Sequence, residues 1–83
     1  GNDGLIRFRY RLLAPKPVKV EVYDVRGAKG VATDLGTVEP EGDYNEFAWD
    51  GRTAGGRRVA SGVYFAAVEI QGDTSFRKFT VIR

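Results

Sequence analysis

The stretch Trp49-Asp50-Gly51-Arg52-Thr53-Ala54-Gly55-Gly56-Arg57-Arg58-Val59-Ala60-Ser61-Gly62-Val63-Tyr64-Phe65 constrains what this chain can fold into more than any other. One alternating run leads into it (Asn45, Phe47, Trp49) and another leads out (Tyr64, Ala66, Val68, Ile70). A period of two places every second side chain on one face, which is the signature of a half-buried strand and not of a helix. Between the runs the chain is polar and punctuated by Gly51, Gly55, Gly56 and Gly62, so it reads as a loop joining two strands, a scaffold element without evident chemistry.

The same period recurs along the chain. Ile6, Phe8, Tyr10 and Leu12 alternate with Arg7, Arg9 and Arg11, and the Ala14-Pro15-Lys16-Pro17 loop is expected to end that strand because proline donates no ladder hydrogen bond. Val18, Val20 and Val22 alternate with Lys19, Glu21 and Tyr23 up to a turn at Asp24-Val25-Arg26-Gly27, where Gly27 is expected to supply a positive φ. Val31 to Val38 reads as a weaker strand, interrupted by Gly30 and Gly36 and poor in bulky residues. A turn over Glu39-Pro40-Glu41-Gly42-Asp43 precedes the strand Tyr44 to Trp49. Val63 to Gln71 and Thr74 to Ile82 form a hairpin, with Gly72-Asp73 as the expected two-residue turn. That turn sets Ile70 opposite Ser75, Val68 opposite Arg77, Ala66 opposite Phe79 and Tyr64 opposite Val81, the last two pairs buried.

About six to seven short strands without any helical segment predict an all-β fold, an antiparallel two-sheet sandwich of Ig-like or fibronectin-like type. The expected core is Phe8, Val20, Val22, Phe47, Trp49 and Tyr64, with Trp49 at its centre. Residues 1–83 are expected to form a single domain, since at this length only about 60 to 65% of the unfolded chain's surface can be buried. Methionine is absent even from position 1. The chain is therefore expected to be a domain excised from a larger protein, with Gly1 a remnant.

Composition removes several classes of function. Without cysteine there are no disulfides or thiolates, and without histidine there is no imidazole base or ligand. The expectation is a nonenzymatic chain with no catalytic residues, no metal and no cofactor. Thirteen basic residues against 11 acidic ones, spread over the same segments, make a balanced surface, so no nucleic-acid partner is expected. No apolar run approaches the roughly 18 residues of a membrane helix, and no membrane insertion is expected.

Several groups of side chains could serve as sites, and each also has a plainer role in the fold. The stripe Arg7, Arg9, Arg11 could dock an acidic partner or an anionic polysaccharide, but the commoner fate of such a stripe is the solvated face of an edge strand. Arg52, Arg57 and Arg58 could form a basic rim, against ordinary solvation beside Asp50. Asp50-Gly51-Arg52-Thr53-Ala54-Gly55 faintly resembles a calcium loop, yet Arg and Ala stand where oxygen ligands belong, so Asp50 reads as a turn former. Glu39 and Glu41 lie in a proline turn with nothing to shape a glycosidase pocket. Of the aromatics Tyr44, Phe47 and Trp49, alternation leaves Tyr44 exposed and available for sugar stacking.

The spacing Gly62-x-Tyr64-x-Ala66 resembles the tyrosine corner, in which a Tyr hydroxyl bonds back to the backbone, with Ala66 where Ig domains place their second cysteine. Val18 to Arg26 with Gly27, Gly42, Trp49-Asp50-Gly51, Gly56, Val59 to Tyr64 and the run Arg77-Lys78-Phe79-Thr80-Val81 together resemble two related groups. One is the Ig-like domain of the flagellar hook-capping (FlgD-type) protein. The other is the type A C-terminal sorting domain of the type IX secretion system, which usually opens with an Asn-Pro element where this chain has Asn2-Asp3-Gly4-Leu5. The resemblance covers about Leu5 to Arg83. It implies a noncatalytic C-terminal module of a secreted or cell-surface bacterial protein, acting in sorting or attachment. The partners it implies are the other domains of the parent polypeptide and the secretion apparatus or a cell-surface component, and an end-of-chain receptor is expected to contact Arg77, Lys78 and Arg83. The alternative is a protein- or glycan-binding assembly module retained on the mature protein.

Overall fold

The computed structural model describes residues 4–82, and among them finds six strands and no helix. The strands are β1 (Ile6–Tyr10), β2 (Lys16–Asp24), β3 (Lys29–Val38), β4 (Asn45–Trp49), β5 (Gly62–Ile70) and β6 (Asp73–Val81). Every pairing is antiparallel. β1 and β4 form a two-stranded sheet, and β3-β2-β5-β6 form a four-stranded sheet. Gly1, Asn2, Asp3 and Arg83, for which the sequence carries expectations, lie outside the described residues.

Alternation decides which side chains meet between the sheets. The inward residues of β1 and the segment after it, Phe8, Tyr10 and Leu12, face Val18, Val20 and Val22 of β2 and Ala66 and Val68 of β5, all buried. One cluster gathers Tyr10, Leu12, Val18, Val20 and Val68; the other gathers Phe8, Val22, Trp49 and Ala66. Phe47, half-buried, packs against both and joins them. Each cluster draws on both sheets, which makes the fold a sandwich with a continuous apolar interior. The six expected core residues all contribute, Tyr64 from a half-buried position.

The rings converge on Phe79, which the sequence places in a buried pair but not among the six expected core residues. Phe79 of β6 lies 5.0 Å from Phe8, 5.9 Å from Trp49 and 5.9 Å from Tyr64, edge-on to the first two. Edge-to-face geometry sets a ring's positive rim against its neighbour's negative face, which favours such clusters beyond the area buried. Trp49 is buried as expected, but Phe79 is where the aromatic contacts meet.

Three local expectations are corrected. Lys16 and Pro17 belong to β2 and not to the preceding loop, because Pro17 lies at the strand's beginning, paired with Thr37, and its carbonyl accepts the Gln71 N–H at 2.9 Å. The weak Val31–Val38 strand is the longest of the six and begins at Lys29; Gly36, at φ 66°, sits beside a register shift instead of breaking the strand. The hairpin turn is Gln71-Gly72, not Gly72-Asp73. Both residues have positive φ, 48° and 87°, the requirement of a type I′ turn, and the pairs become Ile70 with Asp73, Val68 with Ser75, Ala66 with Arg77, Tyr64 with Phe79 and Gly62 with Val81. The slip is two residues, so each side chain keeps its expected face while every partner changes.

Candidate functional site

The long loop between β4 and β5 is held by its own backbone. Trp49 Nε1–H donates to the Arg52 carbonyl at 2.9 Å, and the Asp50 carboxylate accepts the Arg52 N–H at 3.0 Å, the turn-forming role expected of it. Thr53 N–H donates to the Arg57 carbonyl, Gly56 N–H to Thr53 and Val59 N–H to Gly51, at 2.8, 2.9 and 3.0 Å. Arg52 turns its guanidinium onto the Gly56 carbonyl, 2.9 Å away, and its backbone bridges antiparallel to Arg58, so it serves the loop. Ala54 N–H reaches the Gly30 carbonyl of β3, tying the loop to the larger sheet.

The chain leaves this loop through the expected tyrosine corner. Tyr64 O–H donates to the Ala60 carbonyl at 2.6 Å, four residues back, and Ala66 is fully buried beneath it. Asn45 is the one buried polar side chain among the described core residues, and its amide explains why it can be there. The Oδ1 accepts the Glu41 N–H at 2.9 Å and the Nδ2 donates to the Glu39 carbonyl at 2.8 Å, so Asn45 shapes the turn into β4. Glu39 and Glu41 themselves are exposed.

The arginine stripe lies on the solvent face of the two-stranded sheet. Arg7 and Arg9 share Glu46 of β4, at 3.4 and 3.5 Å, and the Arg9 guanidinium stacks 4.3 Å from the centre of the exposed Tyr44 ring. Exposed ion pairs of this kind are each worth at most about 1 kcal/mol. Glu21 and Lys29 form a closer pair, 2.6 Å, across β2 and β3. Lys29 holds the Glu21 carboxyl below its ordinary range, and Glu21 in turn raises the Lys29 ammonium. Burial raises the Tyr10 phenol, against an opposing hydrogen bond from Asn45.

Of the expected receptor contacts, Arg77 and Lys78 are neighbours whose side chains point to opposite faces of β6. Lys78 faces solvent on β6 beside the exposed Phe76. Arg77 is half-buried and turns inward, where its Nη1 donates to the Arg9 carbonyl on β1 and so links the two sheets. That cross-sheet role has no local sequence signal, because its partner is 68 residues away. No cluster of three or more metal-ligating side chains occurs among the described residues.

No family model matches the chain, and no curated protein matches it. Solved structures do. FlgD from P. aeruginosa superposes with a TM-score of 0.65 at 25% identity, over 92% of this chain and 60% of that one. PorZ, an essential bacterial surface component of the type-IX secretion system of Porphyromonas gingivalis, superposes with a TM-score of 0.61 at 28% identity, over 98% of this chain and 12% of that one. The chain thus spans less than two thirds of either neighbour's length. It resembles the FlgD-type and type IX C-terminal Ig-like domains, as the sequence pattern predicts, and its fold is their β-sandwich.

Proposed function

We propose that the chain is a noncatalytic C-terminal Ig-like module of an exported bacterial protein, serving as a sorting signal for secretion or as a cell-surface attachment domain. The observation that carries this reading is the likeness of 98% of the chain to only 12% of a surface component of a secretion system. A unit that accounts for so small a share of its neighbour is an appended domain, and its own interior offers no place for chemistry. The buried residues are apolar except Asn45, whose amide is engaged by the Glu39 and Glu41 backbone. Localisation at the surface or outside the cell follows from the same reading. Lys78 on the wet face of β6, with Arg83, is the contact offered to a receptor; Arg77 contributes by holding β6 to β1.

The test is a fusion of the chain to the C-terminus of a periplasmic reporter in a bacterium with a type IX apparatus, with immunoblots of medium, cell surface and periplasm. The fusion is expected outside the periplasm, and Lys78→Ser is expected to strand it there without lowering the melting temperature, whereas Arg77→Ser lowers it. A parent fusion that stays in the periplasm refutes sorting. Export undisturbed by Lys78→Ser together with Arg83→Ser refutes the contact. A second reading, a glycan- or protein-binding module, draws on Tyr44, which is 43% exposed and carries the Arg9 guanidinium over its ring. A glycan-array signal abolished by Tyr44→Ala is its mark.

A further inference from the structure

The sheet β3-β2-β5-β6 ends in two edges, and they differ. The β3 edge is irregular, with register shifts against β2 after Val18 and after Val22 and a positive φ at Gly36, features that deter strands from joining edge to edge. β6 has none of them. It pairs with β5 from Asp73 to Val81 without a register shift and contains no proline. Phe76 lies in its middle, 70% exposed, and is the one large apolar residue exposed within a strand among the described residues.

The ladder fixes which groups of β6 look outward. Gln71, next after β5, gives its N–H to the Pro17 carbonyl of β2, and in an antiparallel ladder successive residues turn to opposite sides. The odd-numbered residues of β5 therefore bond to β2 and the even-numbered ones to β6. Across the hairpin, Ser75, Arg77 and Phe79 lie opposite Val68, Ala66 and Tyr64 and turn their backbone groups to β5. Thr74, Phe76, Lys78 and Thr80 turn theirs away from it. β6 is the last strand of its sheet, and on that outer side none of these four residues has a hydrogen bond among the described residues. Their side chains are all exposed on the outer face of the sheet.

We propose that the β6 edges of two copies of this chain pair antiparallel about a two-fold axis at Phe76, joining their larger sheets into one continuous sheet. The choice of occupant follows from the register. Outward-facing residues must meet outward-facing residues, so the axis falls on a residue of the strand and not between two. At Arg77 or Lys78 it sets two like charges directly opposite each other, which destabilises a ladder. At Ser75 or Phe79 it shortens the ladder to residues 73–77 or 77–81. At Phe76 it brings the two exposed rings together and sets Thr74 opposite Lys78 and Ser75 opposite Arg77, with no like charges facing. A regular, bare edge templates another strand, and the aromatic cross-strand pair adds to the backbone bonds. One strand per copy is a small interface, so the dimer is weak and forms at high chain concentration. The surface goes beyond the export reading and stands whether or not the chain directs secretion.

The test is sedimentation of the 83-residue chain from micromolar to millimolar concentration, with amide hydrogen exchange followed by NMR over the same range. The parent is expected to become a dimer. Exchange at Thr74, Phe76, Lys78 and Thr80 is expected to slow about tenfold once about nine copies in ten are paired, while Ser75 and Arg77, already bonded to β5, stay unchanged. Phe76→Lys places two charges at the axis, and Phe76→Pro removes an outward N–H that β5 does not use. Both variants are expected to remain monomeric, and Phe76→Lys to keep the parent's melting temperature, since the side chain is exposed. A parent monomeric at millimolar concentration, a dimer that survives Phe76→Lys, or slowed exchange along β3 in place of β6 would each overturn the proposal. So would protection of the β6 edge gained only on adding a capped peptide of alternating Glu and Val, which would give that edge to a different protein.

Discussion

Replacing Trp49 separates its two contributions, the ring it buries and the hydrogen bond it donates. Its side chain is 4% exposed, lies edge-on to Phe79 at 5.9 Å, and closes the start of the long loop through the 2.9 Å bond from Nε1–H to the Arg52 carbonyl. Trp49→Phe keeps an apolar ring and deletes the donor, so it should cost about 0.5 to 1.5 kcal/mol for the bond and about 1 kcal/mol more for the space vacated. Trp49→Ala removes the ring as well, for about 3 to 5 kcal/mol, to which the lost bond adds about 1 kcal/mol. A domain of this length has a total stability of about 4 to 12 kcal/mol, so the alanine variant stands near the limit of folding. Each kcal/mol lowers the melting temperature of a small domain by about 4 to 8 °C, which sets the scale for the phenylalanine variant too. Urea denaturation followed by far-UV circular dichroism is the suitable assay, because Trp49 is the sole tryptophan and its own fluorescence is lost in both variants. A phenylalanine variant within about 0.3 kcal/mol of the parent, below the range expected of a hydrogen bond, would refute the anchoring of the loop by Arg52. An alanine variant as stable as the parent would refute the core itself.

Gln71 is the one residue other than glycine with a positive φ among those described, so Gln71→Asn, which tolerates that region better, should raise stability by about 0.5 to 1 kcal/mol in the same urea assay. An unchanged or lowered midpoint would argue against the Gln71-Gly72 turn. Tyr10 makes a pH prediction. Burial lifts its pKa above 10.0, so its contribution is complete below the unfolded pKa and is lost as the pH rises through the folded one. The parent should therefore lose stability above about pH 10 more steeply than Tyr10→Phe does; parallel declines would contradict the burial of the hydroxyl.

Much of the fold was legible because β-structure writes its faces locally. The burial of Phe8, Val20, Val22 and Trp49, the exposure of Arg9 and Tyr44, and the Tyr64 corner all rest on spacings of two or four residues, which the pleat and the turn convert directly into position. Pairing partners are a different matter. Slipping the β5–β6 hairpin by two residues leaves every side chain on its face, so periodicity is blind to it, and the choice falls to the positive φ values that Gln71 and Gly72 adopt together. The strength of β3 was likewise hidden, because its glycines look like breaks until β2 supplies the ladder and absorbs Gly36 beside a register shift.

The resemblance that carries the proposed function was visible in the order of landmarks, but the arrangement of the candidate contacts was not. Arg77 and Lys78 look like one basic pair along the chain, yet the pleat sends them to opposite faces, one to clasp Arg9 and the other to solvent. Sequence by itself determined the strands, their buried faces and the want of histidine and cysteine chemistry, since each depends on residues close together or on composition. Tertiary structure alone decided the hairpin register, the gathering of rings around Phe79 and the cross-sheet hold of Arg77, since each depends on which distant strands come to lie against one another.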